Sequence, residues 1–115
     1  MKDMVSDEVL SEPLYAIVRY RLKPEFLEPS RQQAAGLYAE LTAHGPEWLR
    51  QASFEVDDNG GVLTVVELER HPSALRGVEV FQRHRAGLAE RCSELPTTTT
   101  VRLLGAYRLF QGEPA

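Results

Sequence analysis

The run Asp57-Asp58-Asn59-Gly60-Gly61 most constrains what this chain can fold into. Asn-Gly and Gly-Gly pairs accept the positive φ values that tight hairpin turns demand. Here they lie between two alternating segments. Over residues 47–57, Ala52, Phe54 and Val56 alternate with Gln51, Ser53 and Glu55. Over residues 62–70, Val62, Thr64, Val66 and Leu68 share one face, and Leu63, Val65, Glu67 and Glu69 share the other. An antiparallel hairpin follows. His71-Pro72-Ser73 then turns the chain into a long helical pattern, so residues 60–95 form a strand–turn–helix unit around which the rest is placed.

Upstream, Leu14, Ala16, Val18, Tyr20 and Leu22 recur at period two and predict a strand over residues 14–22, with Tyr15, Ile17, Arg19 and Arg21 on its other face. Pro24 ends it. A helix over about residues 25–43 carries the stripe Ala34, Leu37, Tyr38 and Leu41, and Pro24 and Pro29 each suit its first turn. Gly45, suited to a left-handed position, and Pro46 stop it. Trp48 belongs to the start of the next strand or to the loop before it. The helix after Pro72 is expected to run to about residue 95 on the stripe Leu75, Val78, Phe81, Leu88, Cys92 and Leu95. That register puts Arg85 near the middle of the stripe and His84 at its edge. Gly77 and Gly87 weaken the helix, and a break near Gln82 shifts the register. Pro96 ends it, and a last strand follows, with Thr99, Val101 and Leu103 on one face and Arg102 and Leu104 on the other, ending near residues 109–110.

The order β-α-β-β-α-β predicts an α+β, ferredoxin-like domain: one four-stranded antiparallel sheet with two helices on one face. Residues 14–111 form the single domain. Residues 1–13 are read as a mobile or partner-dependent arm, and the tail from Gln111 as frayed. The uncovered sheet face then carries Tyr15, Ile17, Leu63, Val65 and Leu104, mixed with Arg19, Arg21, Arg102, Glu67, Glu69 and Glu55. That is a large apolar patch for a monomer, with charges that balance in sign, and it predicts a homodimer with two sheets face to face.

Charge and composition narrow the function classes. The net charge is −4 with both signs interleaved, so no basic stripe suits nucleic acid. No apolar run reaches membrane-spanning length, and the N-terminus lacks the pattern of a signal peptide. The single cysteine, Cys92, excludes an internal disulfide and suits a reducing cytoplasm. His44, His71 and His84 lack metal-ligand spacing, so no metal site is expected. Gly60-Gly61 makes a hairpin and opens no helix, so no phosphate loop is read there.

These landmarks together resemble the dimeric α+β barrel superfamily, most closely its antibiotic biosynthesis monooxygenase-like domain. The resemblance rests on Tyr15-Ala16-Ile17-Val18, Lys23-Pro24, Gly45, the acidic hairpin, and above all Val65-Val66-Glu67-Leu68-Glu69 running into Ser73-Ala74-Leu75. It covers about residues 14–110. It implies a dimeric barrel with a cavity between sheet and helices, and oxidation of an electron-rich phenol or quinol by oxygen without a cofactor. The chain departs from the family pattern in having Glu69 where an aromatic is usual and Val78 where a first histidine lies; His84 falls within a residue of the second histidine. A related haem-degrading family uses an asparagine on the first strand, and residues 14–22 hold none, so haem is set aside.

Each candidate residue has two readings. His84 suits a general base, with a pKa near neutrality, or is a helix-edge histidine in contact with solvent. Arg85, if buried in the stripe, needs an anion such as a ligand oxygen; if the helix bends at Gly87 it reaches solvent instead. Tyr38 and Tyr20 line a pocket and offer hydroxyls, or are core residues with wet tips. Trp48 shapes an apolar cavity wall or fills a gap under a helix. Glu67 and Glu69 suggest paired carboxylates, or charge pairing with Arg19, Arg21 or Arg102. Two functions follow: a cofactor-independent monooxygenase acting on a small aromatic, with His84 as proton acceptor and Arg85, Tyr38, Trp48 and Tyr20 around the substrate, or a non-catalytic dimeric module that binds a small molecule or serves as an accessory subunit. A cavity lined by His84 and Tyr38 favours the first, and a closed core favours the second.

Overall fold

The computed structural model describes residues 8–57 and 59–109. Four strands, β1 (Val9–Leu22), β2 (Leu49–Val56), β3 (Gly61–Arg70) and β4 (Cys92–Val101), form one antiparallel sheet in the order β2-β3-β1-β4. Helix α1 (Leu27–His44) connects β1 to β2 after a 3-10 turn at Pro24–Phe26. Between β3 and β4 come a 3-10 turn (Pro72–Gly77), α2 (Glu79–Arg85) and the single turn α3 (Leu88–Arg91). The α+β class and the ferredoxin-like order agree with the expectation.

Register explains the layering. Leu14, Ala16, Val18 and Tyr20 of β1 pair with Leu68, Val66, Thr64 and Val62 of β3, and opposed residues in an antiparallel pair share a face. This face turns to the helices. Ala16, Leu22, Val66 and Leu68 are buried on the sheet, with Leu37 on α1 and Ala74 in the 3-10 turn. The stripe Ala34, Leu37, Tyr38 and Leu41 is the covered side of α1. Both prolines serve that helix, Pro24 at the start of the 3-10 turn and Pro29 in the first turn of α1, where a missing N–H leaves no bond unmade.

Several expectations are corrected. β1 begins at Val9, so residues 9–13, expected in the arm, lie in the strand. The rest of that arm, residues 1–7, and the tail from Gln111 lie outside the described residues. Gly45 is extended (φ −70°) and not left-handed; its backbone comes so close to Leu41 that a Cβ would stand 2.5 Å from the Leu41 carbonyl oxygen. The long second helix does not form. It breaks at Val78 and at Ala86-Gly87, not at Gln82, and Gly87 takes the left-handed φ of +76°. Cys92 to Leu95 are strand, because Leu22 and Arg21 of β1 pair with Cys92 and Glu94. Pro96 lies within β4, an edge strand, where its missing donor is tolerated.

The uncovered face also differs in membership. β4 contributes Thr97, Thr99 and Val101 opposite Arg19, Ile17 and Tyr15, while Arg102 and Leu104 come after the strand ends. Glu55 pairs with Val62 and so lies on the helix side; Ala52 and Phe54, opposite Val65 and Leu63, lie on the open side. Arg21 meets Glu94 at 3.3 Å and Asp57 at 4.0 Å, in place of the expected Glu67 or Glu69. Glu67 is only 4% exposed, opposed by Tyr15 and Arg50, and its Oε1 has no hydrogen-bond partner among the described residues.

Candidate functional site

Three elements bring polar side chains together under the sheet. Tyr38 projects from the covered stripe of α1 toward β2. Its hydroxyl lies 2.7 Å from Ser53 Oγ and accepts from Gln51 Nε2 at 3.1 Å, and Ser53 Oγ lies 2.8 Å from Thr64 Oγ1. The row ties α1 to β2 and β3 and fixes the phenol. Tyr20, on the helix-facing side of β1, is half-buried. Burial first, and then the Cys92 thiol and Tyr38, push its pKa above the ordinary value, against the opposing pull of Arg91. Its phenol therefore keeps its proton and serves as a donor. His84, near the end of α2, is also half-buried; burial, and then the Arg91 guanidinium, hold its pKa below the usual histidine value. At neutral pH the imidazole is neutral and able to accept a proton.

These groups stand between two cavities. One, of about 230 Å³, lies between α1, the hairpin end of β2 and β3, and the α2–α3 region; Tyr20, Tyr38, His84, Leu37, Leu88 and Arg91 line it. The other, of about 290 Å³, spreads over the helix side of the sheet under α2, against Leu14, Ala16, Val18, Val66, Phe81 and Arg85. Tyr20, Leu37, Ser53, His84 and Leu88 line both, so His84 and Tyr20 stand at the partition. An exposed ion pair borders the first cavity: Arg31 Nη2 reaches Glu55 Oε1 at 3.1 Å and Nη1 reaches Glu28 Oε1 at 3.1 Å.

Tyr20, Tyr38 and His84 thus meet around one cavity. Arg85 is exposed at the last position of α2 and lines only the α2-side cavity, because the helix ends before it is enclosed by the expected stripe. Trp48 stands apart: it is half-buried in the turn before β2, its carbonyl accepts from the Glu69 N–H at 2.9 Å, and it lines neither cavity. Other polar residues are present that the sequence did not single out. Among the described residues Ser30 Oγ, Gln51 Oε1 and Arg91 Nε are buried without hydrogen-bond partners, and all three residues line these cavities. Gln51 and Ser53 were visible as the polar alternates of β2; the missing step was that they face inward. Arg91 was hidden by the reading of residues 88–95 as one helical stripe. Among the described residues no three His, Cys, Asp or Glu side chains come together to hold a metal ion.

No protein-family model matches the chain, and no curated protein matches it. Solved structures do. The Mycobacterium tuberculosis protein Rv0793 superposes with a TM-score of 0.66 at 20% identity, over 83% of this chain and 98% of that one. A candidate antibiotic biosynthesis monooxygenase of Nitrosomonas europaea gives 0.66 at 14% identity, over 83% and 93% of the two chains. An antibiotic biosynthesis monooxygenase gives 0.62 at 20% identity, over 80% and 99%. The chain has the antibiotic biosynthesis monooxygenase-like fold. At these identities the likeness is one of architecture. Within that monooxygenase-like fold, the space between sheet and helices is the pair of cavities described above. The two departures in sequence line neither cavity: Glu69 is exposed on β3, on the same side of the sheet as Glu67 and away from the helices, and Val78 is the extended residue between the 3-10 turn and α2.

Proposed function

We propose that this protein binds a small phenolic or quinol-type aromatic and oxidises it with molecular oxygen, as a cofactor-independent monooxygenase working as a homodimer in a reducing cytoplasm. The observation that carries the reading is the convergence of Tyr20, Tyr38 and a neutral His84 on one cavity of about 230 Å³. A closed core at this place would favour a non-catalytic binding or accessory module instead.

The chemistry asks three things of the chain. A base must take the phenolic proton, because the phenolate gives up electrons to oxygen far more readily than the phenol does; the neutral His84 fills that role. Donors must hold the developing charge on substrate oxygen, and Tyr20, which keeps its proton, and the anchored Tyr38 supply hydroxyls. Apolar walls must exclude water, and Leu22, Leu27, Ala34, Leu37 and Leu88 supply them. The overall step balances without an added reductant: a ring C–H and the phenolic O–H give the four electrons, one oxygen atom becomes the new quinone carbonyl, and the other leaves as water. Arg85 borders the α2-side cavity and is positioned to meet a substrate oxygen there, whereas Trp48 contributes no wall to either cavity.

Oxygen uptake over a panel of phenols, anthrones and quinols, compared with His84→Ala, tests the proposal. Uptake with at least one member and a loss on the order of 10²-fold or more in the variant are expected. An equal rate in the variant removes His84 from the mechanism; no uptake across the panel returns the protein to the binding-module reading.

A further inference from the structure

Two cations and two carboxylates line the α1-side cavity, yet one of the cations meets no carboxylate among the described residues. Its two carboxylates are taken: Glu55 is held by Arg31 at 3.1 Å, and Asp57 lies 4.0 Å from Arg21. Arg31 is itself engaged by Glu55 and Glu28. His84 is neutral. Arg91 remains. It is half-buried and meets no carboxylate among the described residues. Among the described residues its Nη1 and Nη2 touch only the carbonyls of Ala86 and His84, each at 3.4 Å, the outer limit of a hydrogen bond, and its buried Nε has no partner. The guanidinium folds back over the α2–α3 turn, where Nη1 lies 3.3 Å from the place a Cβ on Gly87 would occupy. A cation removed from water in this way, with its donors spent on two marginal contacts, is costly unless something anionic arrives to meet it.

We infer that Arg91 is a receptor for an acidic group, and that the ligand of the α1-side cavity is a small aromatic acid whose carboxylate is held by the Arg91 guanidinium. The inference rests on the proposed reading of the cavity as a ligand site, but not on the oxidation. A planar guanidinium matches a carboxylate with two parallel N–H···O bonds. The lining suits such a ligand: leucines and Ala34 for a ring, Tyr20 and Tyr38 for a hydroxyl, and Arg91 for the acid. A volume of about 230 Å³ lies below that of pockets for drug-sized ligands, about 300–1,000 Å³, which points to one or two rings. Arg91 also adjoins the space between α1 and α2, giving the acid a second, wetter approach past Gln33 and Arg83.

The test compares 1-hydroxy-2-naphthoate with its primary amide, which has nearly the same shape and no charge, by titration calorimetry on the full chain. The acid is expected to bind at least about ten-fold tighter, and Arg91→Gln to abolish that advantage by weakening the acid far more than the amide. Equal binding of the two by the wild type, or an advantage that survives in Arg91→Gln, overturns the inference and leaves the cavity standing as a ligand site. Failure of both compounds to bind at millimolar concentration overturns the inference and the ligand-site reading together. Should Arg91→Gln not fold, Arg91→Lys replaces it: the charge stays and the planar fork is lost, so the preference is expected to fall several-fold without vanishing, and an unchanged preference overturns the assignment.

Discussion

At the scale of single residues, two glycines make opposite predictions. Gly60 holds φ at +86°, and a Cβ there would stand 2.6 Å from the Leu22 carbonyl oxygen, while Leu22 N–H donates to Gly60 at 2.9 Å. Gly60→Ala therefore meets strain and a clash at once and is expected to cost about 2 kcal/mol or more in urea unfolding. Gly36, within α1, has nothing within 4 Å of its would-be Cβ, so Gly36→Ala is expected to gain about 0.5–1 kcal/mol in the same measurement. His84 gives the pH dependence. Its folded pKa lies below the ordinary 6.5, so between those two values the unfolded chain binds the extra proton. Its contribution to stability is complete above pH 6.5 and is lost as pH falls through the folded value. Unfolding curves at pH 7.5 and pH 5 are expected to show a larger drop for the wild type than for His84→Gln. Catalysis that uses the imidazole as base should likewise persist somewhat below pH 6.5 before it fails.

At the scale of elements, the hairpin, the first helix and the faces of β1 and β3 were legible because local and tertiary preferences agree there. The acidic glycine turn, the period-two alternation and the i, i+3, i+4, i+7 stripe each admit one solution. The region after Pro72 was not legible. Leu88, Cys92 and Leu95 fit a helical stripe as well as any in the chain, and Glu94 and Leu95 are good helix formers. What overrides them is the vacant edge of β1, which takes Cys92 and Glu94 into its ladder, together with Gly87, which ends the helix in a left-handed turn. That override also hid part of the site, since Arg91 reaches the cavity only because the helix stops there. Leu95 separates the two readings by experiment. On a buried stripe, Leu95→Lys would cost several kcal/mol. On β4 the side chain is 63% exposed, so the expected cost is within about 0.5 kcal/mol by denaturant unfolding.

At the scale of the whole molecule, the helices cover one side of the sheet and leave the other unfinished. Tyr15, Ile17, Leu63, Val65, Ala52 and Val101 face outward together, and Phe54 beside them is 55% exposed. Glu67 is enclosed within this same face with one carboxylate oxygen unpartnered, a state that favours a further hydrogen-bond donor nearby. After β4 the chain continues through Leu104, 98% exposed, with Tyr107 and Leu109 also exposed, so apolar surface extends past the sheet edge. The expectation at this scale is a second copy of the chain that covers this face. We propose that two open faces related by a twofold bury each other's aliphatic residues, as stable pairs do over about 800 Å² per partner. The expected result is a light-scattering mass twice the chain's 12.9 kDa at micromolar concentration. Phe54→Asp puts a carboxylate where the faces meet but is already exposed within one chain, so it should shift the mass toward the monomer while leaving the far-ultraviolet circular dichroism unchanged. A wild type that scatters as a monomer at that concentration would mean that this face is finished by something other than its own copy, and the twofold barrel would be abandoned.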